Sequence, residues 1–287
     1  MKLENPQQAD QYDPQAEQPL KELAILLGGV LALGLIAAIA LAFTAGLIAP
    51  RLPFPVERDF MASRIASDPR FDAQSRELQR IADRLAAALS LPSDMKLTLH
   101  YSDEMTVNAY ATLGGHITVF RGLIARVNSE NALAAVLAHE IAHVRLRHPA
   151  MAAGRGIAIG LALSALSSTV GNSVAERIMG ATGMGVLMSY SREQETAADD
   201  DALRAVAATY GHLGGAADLF ETLKKAHPNS EGGFEIFRSH PYSDRRIEHV
   251  REFAARHGIA ADGARTPLVL QLPKPADQPL PRLFPGS

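Results

Sequence analysis

The 287-residue sequence predicts an α+β fold, mostly helical with a small β-sheet, carried behind one N-terminal transmembrane helix. Three observations predict it. First, Leu23–Pro50 ("LAILLGGVLALGLIAAIALAFTAGLIAP") contains no charged residue, and the run exceeds the roughly 20 residues that cross a bilayer as a helix. Second, "MKLTLHYS" alternates as a strand does, and "GGHITVFRG" reads as a second strand. Third, Leu78, Ile81, Leu85 and Leu89 recur at helical spacing, as do Leu133, Leu137, Ile141 and Val144 further on.

Taken in order, residues 1–22 are polar, short of core-forming side chains, and read as a disordered tail. Residues 23–49 form the anchor. A cleaved signal peptide would have an apolar region of only about 7–15 residues behind a short basic start, whereas this preceding tail is long and mostly acidic. Lys21 before the span, against Arg51, Arg58 and Arg64 after it, tilts the positive-inside rule towards a cytoplasmic body. The expected location is therefore a prokaryotic cell membrane, crossed once. Residues 50–67 are a proline-stiffened neck, and residues 68–262 form a single domain. Within that domain a helix starts near Asn128 or Ser129 as cap, and further helices run through Ala198–Ala208 and Ala216–Lys225. Residues 263–287 carry too many prolines for regular structure and form an extended tail.

Composition removes several functions. With 28 basic against 31 acidic residues, the chain lacks the basic excess of a nucleic-acid binder. It has no cysteine, so there is no disulfide or thiolate, and a metal must be held by His, Asp or Glu.

The stretch "LAAVLAHEIAHVRLRHP" contains H-E-x-x-H. On a helix, His139 and His143 leave one face a turn apart and can share a zinc ion, with Glu140 close enough to act on water there. Such a site needs a third protein ligand. Downstream, "SYSREQETAADDDAL" offers Glu195 and Asp199 four residues apart on one helix face. That pair can put one carboxylate on the metal and the other behind a ligating histidine.

"NAYATLGGHITVFRGLI", "LAAVLAHEIAHVRLRHP", "SREQETAAD" and "HPYSDRRI" follow one another in the order and wording of one family. Over about residues 68–255 the chain resembles the gluzincin zinc metallopeptidases that include HtpX, BepA and the CAAX prenyl protease. The resemblance implies a zincin-type domain binding one Zn2+ through His139, His143 and Glu195, with Glu140 as general base. It further implies that Asp199 steadies a ligating histidine and that His240 stands near the metal, assisting the transition state or blocking the resting site. Arg246 matches the family's arginine six residues on. Asn108 and Ala109, with Gly114 and Gly115 of "GGHITV", match the strand region along which a substrate backbone lies. The implied activity is endopeptidase cleavage of unfolded or damaged polypeptides in membrane quality control. The competing reading is a chaperone-like binder that rarely cuts, and the intact Glu140 counts against it.

The other histidines read as structural (His148) or as surface residues without partners (His100, His116, His212, His227, His249 and His257). Residues 156–175 carry no charge. Because His139, His143 and Glu195 flank this segment and must meet on one side of a membrane, it reads as packed or membrane-grazing helices and not as a membrane hairpin.

Overall fold

The computed structural model describes residues 19–62, 73–170, 190–226 and 244–270, together with Ile236, His240 and Leu272. Helix α1 (Pro19–Ile48) passes through a 3-10 turn (Ala49–Arg51) into α2 (Phe54–Ala62). Helix α3 (Ala73–Ala88) precedes strands β1 (Thr98–Ser102), β2 (Ala109–Ala111) and β3 (His116–Phe120). The short α4 (Arg121–Ile124), α5 (Glu130–Arg145) and α6 (His148–Val170) follow, and then α7 (Arg192–Tyr210), α8 (Asp218–Ala226) and α9 (Asp244–His257).

The sheet order is β1-β3-β2, with β1 parallel and β2 antiparallel to β3. Leu99, Ile117, Val119, Ala109 and Ala111 all turn inwards, as a period of two requires. They meet Leu78, Ile81 and Leu85 of α3 and Leu133, Leu137 and Ile141 of α5, every one fully buried. β2 is an edge strand. The turn joining it to β3 needs glycine: Gly114 and Gly115 have φ of 72° and 79°, and a Cβ on Gly115 would lie 2.3 Å from the Lys96 carbonyl oxygen.

Three regions differ from the sequence reading. Pro19–Glu22 belong to the first turn of α1 and not to a polar tail; residues 1–18 lie outside the described residues. The described part of the neck, residues 50–62, is largely helical, and it is clamped to the end of α5 by Arg147. That side chain reaches Glu57 at 2.6 Å and the Leu52 carbonyl at 2.5 Å, and lies over the Phe54 ring. The start of the C-terminal tail is docked. The Thr266 carbonyl accepts from the Glu130 amide, the Thr266 amide donates to Asn131 Oδ1, and Leu270 is buried. The first of these contacts satisfies the Glu130 amide at the N-terminus of α5, where helix amides have no partner of their own.

Candidate metal centre

Helix α5 begins at Ser129, whose hydroxyl accepts from the Ala132 amide. Almost all of α5 is buried, and one turn carries His139, Glu140 and His143 into the interior at 6%, 1% and 0% exposure. Helix α7 begins with a capping box, Ser191 with Gln194, which fixes the first turn and so the position of Glu195. His240 is buried beside them, its amide bonded to the Ile236 carbonyl.

Ligand atoms of His139, His143, Glu195 and His240 lie within 4.8 Å of one another. His139 Nε2 is 3.0 Å from His143 Nε2 and 3.2 Å from His240 Nδ1. Glu195 Oε1 is 2.9 Å from His240 Nδ1 and 3.5 Å from His143 Nε2, while its Oε2 is 3.4 Å from His139 Nε2. A tetrahedral zinc with ligands at about 2.0–2.1 Å puts neighbouring ligand atoms roughly 3.3 Å apart. The donor set therefore fits such an ion in kind and in spacing. Glu195 Oε2 and Glu140 Oε2 are moreover buried with no hydrogen-bond partner, a costly state for carboxylates unless a cation or reactant meets them.

Behind His139, Asp199 Oδ1 lies 2.9 Å from Nδ1, the ring nitrogen turned away from the cluster. Arg246 pairs with Asp199 and stands 3.7 Å from Glu195 Oε2. Burial alone would raise the Asp199 carboxyl, but Arg246 and His139 outweigh it and hold it at about 2. Burial and Arg246 push His139 down, and the Asp199 and Glu195 carboxylates overcome both, raising it to about 9. Burial keeps His143 well below the usual histidine range, hence neutral and ready as a ligand. Burial raises the Glu140 carboxyl, against the pull of His240 and His139. The Ala111 amide of β2 donates to Glu140, and His240 Nε2 is 3.4 Å from its Oε1.

The structure thus brings together seven of the residues singled out from sequence: His139, Glu140, His143, Glu195, Asp199, His240 and Arg246. Asn108 and Ala109 sit at the start of the edge strand whose far end, Ala111, touches Glu140. Gly114 and Gly115 are not with them; they are buried in their turn against Arg58 and Lys96.

Several histidines have partners that the sequence did not reveal. His100 Nε2 lies 2.9 Å from His116 Nδ1, and His249 pairs with Asp200 at 2.7 Å. His148 is buried as expected, with Nδ1 2.8 Å from His143 Nδ1, and burial lowers it to about 4. His227 lies outside the described residues. Tyr190 was missed. Its ring stacks on His143, with centroids 4.1 Å apart. A residue just before a helix cap packs towards the fourth helical position, here Glu195, and that rule would have pointed to it.

A family model, Peptidase family M48, matches residues 72–254. The chain belongs to peptidase family M48. The sequence resemblance and the family match agree on the metallopeptidase class. Among M48 relatives, mitochondrial metalloendopeptidase OMA1 of Schizosaccharomyces pombe is 29% identical over 187 residues, covering 64% of this chain and 54% of the relative. Metalloprotease YcaL of Escherichia coli is 32% identical over 161 residues, 54% of this chain and 61% of YcaL. A putative beta-barrel assembly-enhancing protease of Vibrio cholerae is 26% identical over 192 residues, 63% of this chain and 39% of that protein. The chain thus spans little more than half the length of the first two.

Proposed function

We propose that this M48 chain is a membrane-anchored, zinc-dependent endopeptidase that cleaves unfolded or damaged polypeptides in membrane protein quality control. The observation that carries the reading is the convergence of His139, His143 and Glu195 with Glu140 buried beside them. His139, His143 and Glu195 hold the ion. A bound zinc supplies Lewis acidity and makes water a stronger acid. Glu140 takes the proton of the attacking water and returns it to the departing amide nitrogen. Asp199 accepts from His139 Nδ1 and fixes that ring's orientation, and Arg246 keeps Asp199 charged.

Edge strand β2 supports an extended substrate added as a further strand along Asn108–Ala111, ending at Glu140. Such main-chain pairing suits loosely specific cleavage of unfolded segments. A small cavity of about 40 Å³ lies next to Glu140 and His139 and is walled by Val136, Leu203, Val206, Leu219, Phe220 and Ile236. It suits an apolar substrate side chain. A role in the upkeep of membrane proteins is supported by the Vibrio cholerae relative, which is named as a putative protease that enhances beta-barrel assembly. A membrane location is supported by α1, which is long and apolar enough to cross one.

Detergent-solubilised protein is expected to degrade casein, to lose that activity with its zinc on chelation, and to regain it with zinc. Activity that survives complete metal removal would sink the reading.

His240 tests the finer assignment. Beside both Glu195 and Glu140, its imidazole is set to donate to the oxyanion that forms on the scissile carbonyl. His240→Ala is therefore expected to lower casein cleavage about a hundredfold or more, the usual cost of losing one such donor. A rise in activity would mean instead that His240 holds the resting site shut. No change in activity or zinc content would make it an ordinary loop histidine.

A further inference from the structure

We infer that α6 is itself a membrane helix, inserted beside α1 at least as far as the middle of the bilayer. The inference rests on the reading of α1 as a membrane span. Along α1 and the first two residues of the turn after it, all of residues 19–50 are exposed except Ala38, Ala42, Ala45, Gly46, Ala49 and Pro50. Their spacing marks one stripe of small residues, and α6 packs along α1 and meets this stripe at Ala45, Gly46 and Ala49. The two helices run antiparallel: Arg147 just before α6 meets Leu52, Arg155 meets Gly46, and Gly154 meets Ala45 and Ala49. Contact is backbone to backbone, since a Cβ on Gly154 would lie 2.6 Å from the Ala45 carbonyl oxygen. Close approach through small residues is how helices associate in lipid, where apolar attraction gives no help.

The stripe extends to Ala38, near the middle of the uncharged run 23–50. If that run crosses the bilayer, an α6 that continues along the stripe as far as Ala38 reaches mid-membrane there. The composition of α6 agrees. Arg155 is its last charge, and residues 156–170 carry none. At about 1.5 Å per residue those 15 residues span roughly 22 Å of a hydrocarbon core about 30 Å thick. Arg155 packs its Cγ on Gly46, and its long side chain lets the charged end reach the membrane surface. Away from α1, Ile157 is 60% exposed, and Gly156 and Gly160 face open space. Acyl chains are the occupant that this uncharged outer face suits, because it is continuous with the bare faces of α1.

On this inference, the part of α6 described is inserted, where the sequence reading of residues 156–175 was packed or membrane-grazing helices. His148 heads α6 and touches His143, so the metal centre stands at the bilayer surface. Its substrates are then chains exposed next to the membrane.

The chain has no cysteine, so a single introduced thiol can carry a nitroxide probe. The probe is attached to Leu33→Cys, Ile157→Cys, Gly160→Cys and the exposed loop control Ser93→Cys, each in full-length protein in phospholipid vesicles. Relaxation by oxygen, which concentrates in acyl chains, is compared with relaxation by a water-soluble nickel chelate. Oxygen should dominate at positions 33, 157 and 160, and nickel at 93. Nickel dominance at 157 and 160 with oxygen dominance at 33 would overturn the insertion of α6 while leaving the anchor standing. Protection from both reagents at 157 and 160 would overturn it too, since protein and not lipid would then cover that face. Nickel dominance at 33 would remove the anchor and the inference with it.

Discussion

Glu140→Gln is expected to abolish casein cleavage while zinc content and thermal stability stay at wild-type values. General-base catalysis is worth about 10²–10⁴-fold in rate, and an amide cannot accept the proton. The substitution is mild for the fold. The side chain is 1% exposed, glutamine has the same shape, and its carbonyl oxygen can still accept from the Ala111 amide. Burial raises this carboxyl, so the environment tolerates an uncharged group. Glu140 also lies outside the group of side chains able to share one ion. The measurements are zinc per chain by atomic absorption, melting temperature and initial cleavage rate. Cleavage near the wild-type rate would refute the assigned base. Lost zinc at normal rate per bound metal would give Glu140 a ligand's role instead.

What the sequence revealed of this protein was whatever is local in the chain. His139 and His143 are one helical turn apart, and so are Glu195 and Asp199, so each pair could be put on one face from spacing alone. The strands β1 and β3 were visible because alternation over five or more residues is a clear signal, whereas β2 is only three residues long and carries none. Ser129 was legible as a cap because its hydroxyl acts three residues away. Joining the two pairs into one site needed the resemblance, because no short-range rule brings α7 onto α5. His240, 45 residues beyond Glu195, is likewise delivered only by the tertiary fold. The neck differs for another reason: its three prolines, Pro50, Pro53 and Pro55, marked it only as proline-stiffened, yet Pro55 lies in the first turn of α2, where the missing amide costs nothing. The cover of α1 by α6 was invisible because small residues signal close approach only once the partner helix is known.

Glu195→Ala and Asp199→Asn separate two carboxylates that sequence spacing leaves equivalent. Glu195→Ala is expected to lose zinc and all casein cleavage. Asp199→Asn is expected to keep one zinc per chain with affinity weakened about 10–100-fold, the usual effect of disturbing a residue that orients a ligand. The ring of His139 decides between them. Its Nε2 faces His143, His240 and Glu195, while its Nδ1 faces Asp199 at 2.9 Å. One imidazole cannot offer both nitrogens to a single ion, so Asp199 stands on the side away from the metal. Asparagine keeps the shape and an oxygen able to accept from Nδ1, so the ring stays in position, but it no longer neutralises the buried Arg246. The second variant should therefore melt lower as well as bind metal more weakly, because a buried charge left without its partner is destabilising. The measurements are competition with a zinc-chelating dye and melting temperature with excess zinc. Full zinc in Glu195→Ala together with empty protein in Asp199→Asn would exchange the two roles.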